Sequence, residues 1–144
     1  MRLIDIYTAP LAALTLYKLL EERPRENWIS HEIMPSWEDH CEFVESRPFY
    51  LWLLIEEEGT DFGAIEVTDR NEIGIALFRR YRRRGYGRQA LGLFLDSYTP
   101  LPAIPALRNG RWLANVAPDK LASIEFFKRC GFRTIQHTLA LPNG

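Results

Sequence analysis

Cysteine is scarce in this chain. Cys41 and Cys130 show no metal-ligand spacing and both fall in apolar helical patterns, so buried free thiols in a reducing compartment are the default. No metal centre is expected. Net charge is equally small, −1 over 144 residues, which excludes a general polyanion binder and leaves any charge cluster to be explained locally. No apolar run is long enough to span a bilayer, and no basic N-terminal segment leads into an apolar stretch. A soluble cytoplasmic protein, not attached to a membrane, is the expectation. Internal repeats, low-complexity tracts and linker-like segments are missing too, so a single domain over residues 1–144 is the simplest organisation. The glycine-rich turn of the chain has no Lys followed by Ser or Thr after its last glycine, and it lacks the three-glycine dinucleotide fingerprint.

What is present is 47% apolar residues, enough to pack an interior, organised around residues 72–97, EIGIALFRRYRRRGYGRQALGLFLDS. An apolar run at 73–78 passes through a turn dense in arginine and glycine. The chain then takes up a helical pattern, with Ala90, Leu91, Phe94 and Leu95 on one face. A strand entering a helix through a glycine turn makes an anion site, because the first helical turn leaves N–H groups unpaired and carries partial positive charge. Gly85 and Gly87 let a phosphate approach the backbone. Arg82, Arg83, Arg84 and Arg88 add formal charge at the same point.

In chain order, residues 2–7 read as a first strand. Thr8 is placed to cap a helix over 9–22, with Pro10 in its first turn. Ser36 with Asp39 three residues on predicts a second helix over 37–46. Residues 50–57, 62–68 and 72–78 read as a three-stranded meander with turns at 58–61 and 69–71. Prolines 100, 102 and 105 make 99–110 an extended surface connection. Residues 111–116 form a short strand, parallel to its neighbour after a helical crossover. A helix follows from Pro118 and Asp119 to about Arg129, and 132–141 alternates as a last strand.

Within the arginine turn, Arg82-x-x-Gly85-x-Gly87 resembles the acyl-coenzyme A loop of the GNAT superfamily of N-acetyltransferases, patterned Q or R, x, x, G, x, G or A. A second stretch, residues 115–132, NVAPDKLASIEFFKRCGF, resembles that family's strand, polar turn and helix ending F-Y-x-x-x-G-F. The order of elements matches along nearly the whole chain. The resemblance implies an α/β (α+β) GNAT fold, with a mixed central sheet of about six to seven strands and flanking helices. It implies acetyl-CoA as co-substrate, without a metal. It places the pyrophosphate on the N–H groups of the loop, and the acetyl-pantetheine arm on the strand before it. Leu77, Phe78, Arg79, Arg82, Arg83, Arg84, Gly85, Tyr86, Gly87, Arg88, Asn115, Ser123 and Phe127 are the implied cofactor contacts. The loop between the first two helices, with Trp28 and His31, is implied at the acceptor site.

Two departures stand out. The family's frequent catalytic tyrosine is Phe127 here, and a phenyl ring cannot protonate a leaving thiolate. The family often ends in two strands after the last helix, where this chain has room for one long strand or a tight pair. The acceptor cleft is then either open or completed by a second subunit, as a homodimer.

Direct attack of an amine on a thioester needs a base for the amine proton and an N–H for the developing oxyanion. The N–H of Leu77 or a neighbour suits the second role. Glu66 and Glu72 are the base candidates, with His31 a third, although a lone loop histidine is more often simply exposed. Glu66 interrupts an apolar strand and by alternation lies with Phe62, Ala64 and Thr68; Glu72 shares a face with Gly74 and Ala76. Glu66 is placed first, because a simple turn at 69–71 sets it opposite Ile73 or Gly74. For either carboxylate, a solvated charge at a strand end is the plain alternative. The activity expected is acetyl transfer from acetyl-CoA to a primary amine of a small molecule. The alternatives are a protein N-terminal or lysine acetyltransferase and a non-catalytic acyl-CoA sensor on the same fold. A nucleic-acid-binding domain would use the arginine loop with Tyr81 and Tyr86 as stacking platforms. Against that reading, the charge is confined to one loop, and no nucleic-acid partner is expected.

Overall fold

The computed structural model describes residues 1–23 and 33–143. Four strands form an antiparallel sheet in sequence order: β1 (Arg2–Asp5), β2 (Leu51–Glu57), β3 (Thr60–Val67) and β4 (Ile73–Leu77). Among the described residues four α-helices flank it: α1 (Ala12–Glu21), α2 (Trp37–Glu45), α3 (Tyr86–Ser97) and α4 (Leu121–Arg129).

Alternation along the strands assigns the two faces. Trp52 and Leu54 of β2 and Ala64 of β3 pack with Ala12, Leu16 and Leu19 of α1 and Val44 of α2. Leu53, Ile55, Ile65, Val67 and Ile73 face the other way, onto Ala90, Leu91 and Phe94 of α3 and Phe127 of α4. Phe62 departs from the simple alternation. Ile55 pairs with Gly63 and Glu56 with Asp61, so Phe62 is an extra residue in β3. The bulge moves its ring to the α3 face, away from the side of Ala64 expected for it. There it stacks on Tyr86 with centroids 4.5 Å apart and meets Tyr81 edge-on, also at 4.5 Å.

Helix starts follow local chemistry. Ser36 accepts from the Asp39 N–H at 3.0 Å and opens α2 as its sequence predicts. Thr8 does not cap α1. Its hydroxyl donates back to the Asp5 carbonyl at 2.8 Å, closing a short 3-10 turn at Ile6–Thr8, and α1 begins only at Ala12. In α4 the first helical residue is Leu121, after a non-helical Lys120.

The expected mixed sheet of six to seven strands is a four-stranded antiparallel one among the described residues. Residues 111–116 contribute a single parallel bridge, Glu72 to Leu113. Ile73 N–H donates to the Leu113 carbonyl at 2.8 Å, and Leu113 N–H to that of Asn71 at 2.9 Å. Beyond that point Ala114, Asn115 and Val116 make no main-chain pair with β4. Trp112, Ala114 and Val116 instead pack against the core on the α3 and α4 side, with Trp112 centred 4.9 Å from Phe94. Residues 132–141 form no strand either. A last strand needs a neighbour, and 111–116 offers none, so Leu139 and Leu141 remain more than 90% exposed.

Asn71 ties the proline-rich connection to this scaffold. It sits fully buried in the β3–β4 turn with φ 65°, a left-handed conformation that asparagine tolerates. Its Nδ2 donates to the carbonyls of Leu101, at 3.0 Å, and Asn109, at 2.7 Å, while its Oδ1 accepts from Leu101 N–H at 2.8 Å.

Candidate active site

The arginine loop leaves β4 through a 3-10 turn at Arg79–Tyr81 and enters α3 at Gly85, which has φ +85° and open space where a side chain would begin. The N–H groups of residues 83–88 have no main-chain partner among the described residues; the first helical bond runs from Gln89 to the Gly85 carbonyl. Arg82, Arg83, Arg84 and Arg88 are all exposed around these donors. Tyr81 and Tyr86 are half-buried with their rings turned onto Phe62, which removes them as free stacking platforms.

The edge of β4 supplies the next donors. Ile73 N–H points away from β3, to Leu113, whereas Phe78 N–H points to the Phe62 carbonyl at 3.0 Å. Alternation therefore directs the N–H groups of Ile75 and Leu77 outward along the edge that 114–116 leave unpaired. Leu77 keeps its N–H available while its carbonyl accepts from Arg82 Nε at 3.1 Å. Two other expected contacts have main-chain donors already engaged: Phe78 with Phe62, and Arg79 with Glu22 Oε1 at 2.7 Å.

Glu66 lies directly opposite Gly74 in the β3–β4 register, on the face covered by α1 and α2. A Cβ added to Gly74 would fall 2.8 Å from Glu66 Oε1, so the carboxylate lies across that glycine. Beside it Ala76 is exposed, leaving this part of the sheet open to a ligand. Burial raises the Glu66 pKa above the ordinary carboxylate value, and the positive charge of Arg23, just past the end of α1, opposes but does not cancel the shift. A carboxylate so placed is a stronger base than a solvated one.

Glu72 is held differently. Its Oε1 accepts from Thr68 Oγ1 at 2.9 Å, and its Oε2 accepts from Asn115 Nδ2. Asn115 is thereby engaged in bridging the parallel segment to the strand mouth. Glu66 and Glu72 are diagonal neighbours on one sheet face but have opposite situations, one half-buried with its pKa raised and the other with both oxygens hydrogen-bonded.

On α4, Phe127 is buried in the core beside Phe132, with ring centroids 5.2 Å apart. Ser123 is exposed. The ring that reaches the loop is that of Phe126, 3.3 Å from where a Gly87 Cβ would stand, with Leu77 Cδ1 at 3.4 Å. Gly87 is thus a close-packing position, and its missing side chain would point inward, not toward a ligand. Gly87→Asp, which the loop motif alone suggests as a binding variant, is expected to lower the melting temperature of the unliganded protein by burying a carboxylate against a phenyl ring. A melting curve unchanged from the parent would contradict the packing argument. Trp28 and His31 lie outside the described residues.

A family profile described as the acetyltransferase (GNAT) domain matches residues 12–133. The chain belongs to the GNAT acetyltransferase family. Solved structures agree on the GNAT fold. An acetyltransferase from Thermus thermophilus superposes with a TM-score of 0.68 at 19% identity, covering 94% of this chain and 88% of that one. The yncA protein of Salmonella typhimurium, solved with its cofactor acetyl-CoA, gives 0.59 at 19% over 91% and 77%. The spermidine/spermine N-acetyltransferase SpeG of Vibrio cholerae gives 0.65 at 16% over 99% and 85%. Identities this low speak for fold alone. No curated protein matches the sequence.

For a GNAT chain the position of Phe127 has a direct consequence. The ring is only 8% exposed and packed in the core, so Phe127→Tyr places a hydroxyl among apolar neighbours. The expected result is a lower melting temperature, equivalent to roughly 1–3 kcal/mol, with no gain in turnover. A rate increase at unchanged stability would show instead that the ring faces the site.

Proposed function

We propose that this GNAT protein transfers the acetyl group of acetyl-CoA to a primary amine of a small molecule, with Glu66 as the base. The observation that carries the reading is convergence. The unpaired N–H groups at 83–88, the free edge of β4 and the Glu66 carboxylate lie on one continuous piece of chain and its antiparallel neighbour. The donor set fits the proposed co-substrate. Backbone N–H groups and exposed arginines at a helix start suit its phosphates, and an unpaired strand edge suits its amide-bearing arm. The yncA protein, similar in fold, holds acetyl-CoA, and the similar SpeG is named for acetylating polyamines.

Acetyl-CoA supplies an activated acyl thioester. Glu66 draws the proton from the incoming amine, directly or through one water. The nitrogen lone pair forms the C–N bond, the Leu77 N–H donates to the carbonyl oxygen as negative charge develops there, and the C–S bond breaks. The described residues of α4 place no phenol at the usual acid position, so water returns a proton to the departing thiolate. The net products are an acetamide and the free thiol.

Acetyl-CoA is expected to raise the melting temperature of the parent protein. Arg84→Glu with Arg88→Glu, both exposed and therefore neutral for folding, should abolish that rise. Equal rises in parent and variant would remove the loop from the binding site. A turnover screen against a broad amine library, read as free thiol release, then distinguishes an enzyme from a sensor.

A further inference from the structure

A cleft of about 470 Å³ opens at the mouth of β4, between Glu72, Leu113, the 103–109 segment and Ile135. Two arginines line it, Arg70 and Arg108. Arg108 is half-buried and held in place by two carbonyl oxygens, Nε donating to Pro102 at 2.7 Å and Nη1 to Asp69 at 3.1 Å. Those acceptors orient the guanidinium without neutralising it. No carboxylate lies within ion-pair distance of either arginine among the described residues. Glu72, the carboxylate on the same wall, has each of its oxygens engaged, by Thr68 and Asn115. A fixed, half-buried cation without a counter-ion in a concave site is a standing preference for an anion, and a guanidinium binds carboxylate and phosphate by parallel hydrogen bonds.

The cleft adjoins the proposed acetyl-transfer point. Glu72 lines it, and Glu66 is the diagonal neighbour of Glu72 on the same sheet face. Glu66, near the end of β3, and Asp69, in the turn whose carbonyl orients Arg108, lie at the same end of the β3–β4 hairpin. We infer that the acceptor is a primary amine bearing an anionic group, carboxylate or phosphate, with Arg108 and Arg70 receiving that group. This rests on the acetyltransferase reading and narrows its substrate class: simple alkylamines and polyamines carry nothing for these arginines to hold.

The test is a matched series of one chain length: ω-amino carboxylates, their methyl esters, aminoalkyl phosphates and diamines. The parent protein should favour the acids over the esters by tenfold or more in kcat/KM, with diamines poorest. The phosphate arm decides which anion is preferred. Arg70→Gln, at an exposed position, and Arg108→Gln should each bring the acid-to-ester ratio toward one. The Arg70 variant guards against a fold effect at Arg108, whose bonds brace the loop. Equal rates for acid, ester and diamine overturn the inference, as does a preference that survives both substitutions. If no amine is acetylated although acetyl-CoA binds, the catalytic reading fails and calorimetry in the presence of coenzyme judges the cleft separately. Binding of the acid but not the ester by the parent, lost in Arg70→Gln, supports it; equal or absent binding overturns it.

Discussion

Glu66→Gln is expected to lower turnover by roughly two to four orders of magnitude while acetyl-CoA still stabilises the protein. The amide is close in shape to the carboxylate but cannot take the amine proton. The same substitution should raise the melting temperature at neutral pH, which tests the burial of the carboxylate independently of the rate. Burial raises the folded pKa of Glu66, so its contribution to stability is fully present below the unfolded carboxylate pKa and is lost as pH rises through the folded value. At acid pH the protonated parent and the Gln variant should melt alike; toward neutral pH the variant should pull ahead. The rate of the parent runs the other way, because only the ionised form is a base. Its acid limb should therefore fall at a pH above the ordinary glutamate range. Gly74→Ala offers a positional control, since the added methyl would stand 2.8 Å from Glu66 Oε1 and push a flexible side-chain end aside. It should fold and lose turnover. If Glu66→Gln turns over like the parent across pH while Glu72→Gln does not, the base lies at the strand mouth. If neither variant changes the rate, the amine arrives already deprotonated.

The largest stability effect is expected at Asn71. Its side chain makes three hydrogen bonds to the backbone of Leu101 and Asn109 while fully buried. Asn71→Ala leaves the half-buried Leu101 N–H and C=O without their partner, and also the Asn109 carbonyl, at an exposed residue that water reaches. A total of roughly 3 kcal/mol is expected, at about 1–3 kcal/mol for each group that water does not reach. The positive φ adds about 1 kcal/mol of strain for alanine. Asn71→Gly relieves the strain alone and should recover only that part. Asn71→Asp should be worse than alanine, because it turns a carboxylate oxygen toward two carbonyls. Denaturant unfolding of the three variants measures this; a loss under about 1 kcal/mol for Asn71→Ala would mean that water replaces the bonds. Functional loss should accompany the stability loss, since the tethered segment carries Arg108 and the Leu113 bridge to β4 lies beside it.

The meander, the arginine loop and the helix after it were legible in the chain because each depends on neighbours in sequence. Period-two and period-3.6 patterns, a Ser cap three residues before Asp39, and glycines flanking a charged turn all act locally. The same locality set Glu66 opposite Gly74, since a short turn leaves little freedom of register. Tertiary structure decided what depends on which groups meet across distance. Residues 111–116 alternate like a strand, but the packing of Trp112, Ala114 and Val116 against the core leaves one bridge and an open edge on β4. One extra residue in β3 turned Phe62 to the opposite face, and alternation cannot foresee a bulge. Phe126, not Phe127, reaches the loop, because helix phase is set by the whole core. Asn71 looked like an ordinary turn residue; its role exists only because the chain returns to it thirty and thirty-eight positions later. Local preferences are written residue by residue, whereas burial, pKa and counter-ion balance belong to the assembled surfaces, and it is those that single out Glu66 and Arg108.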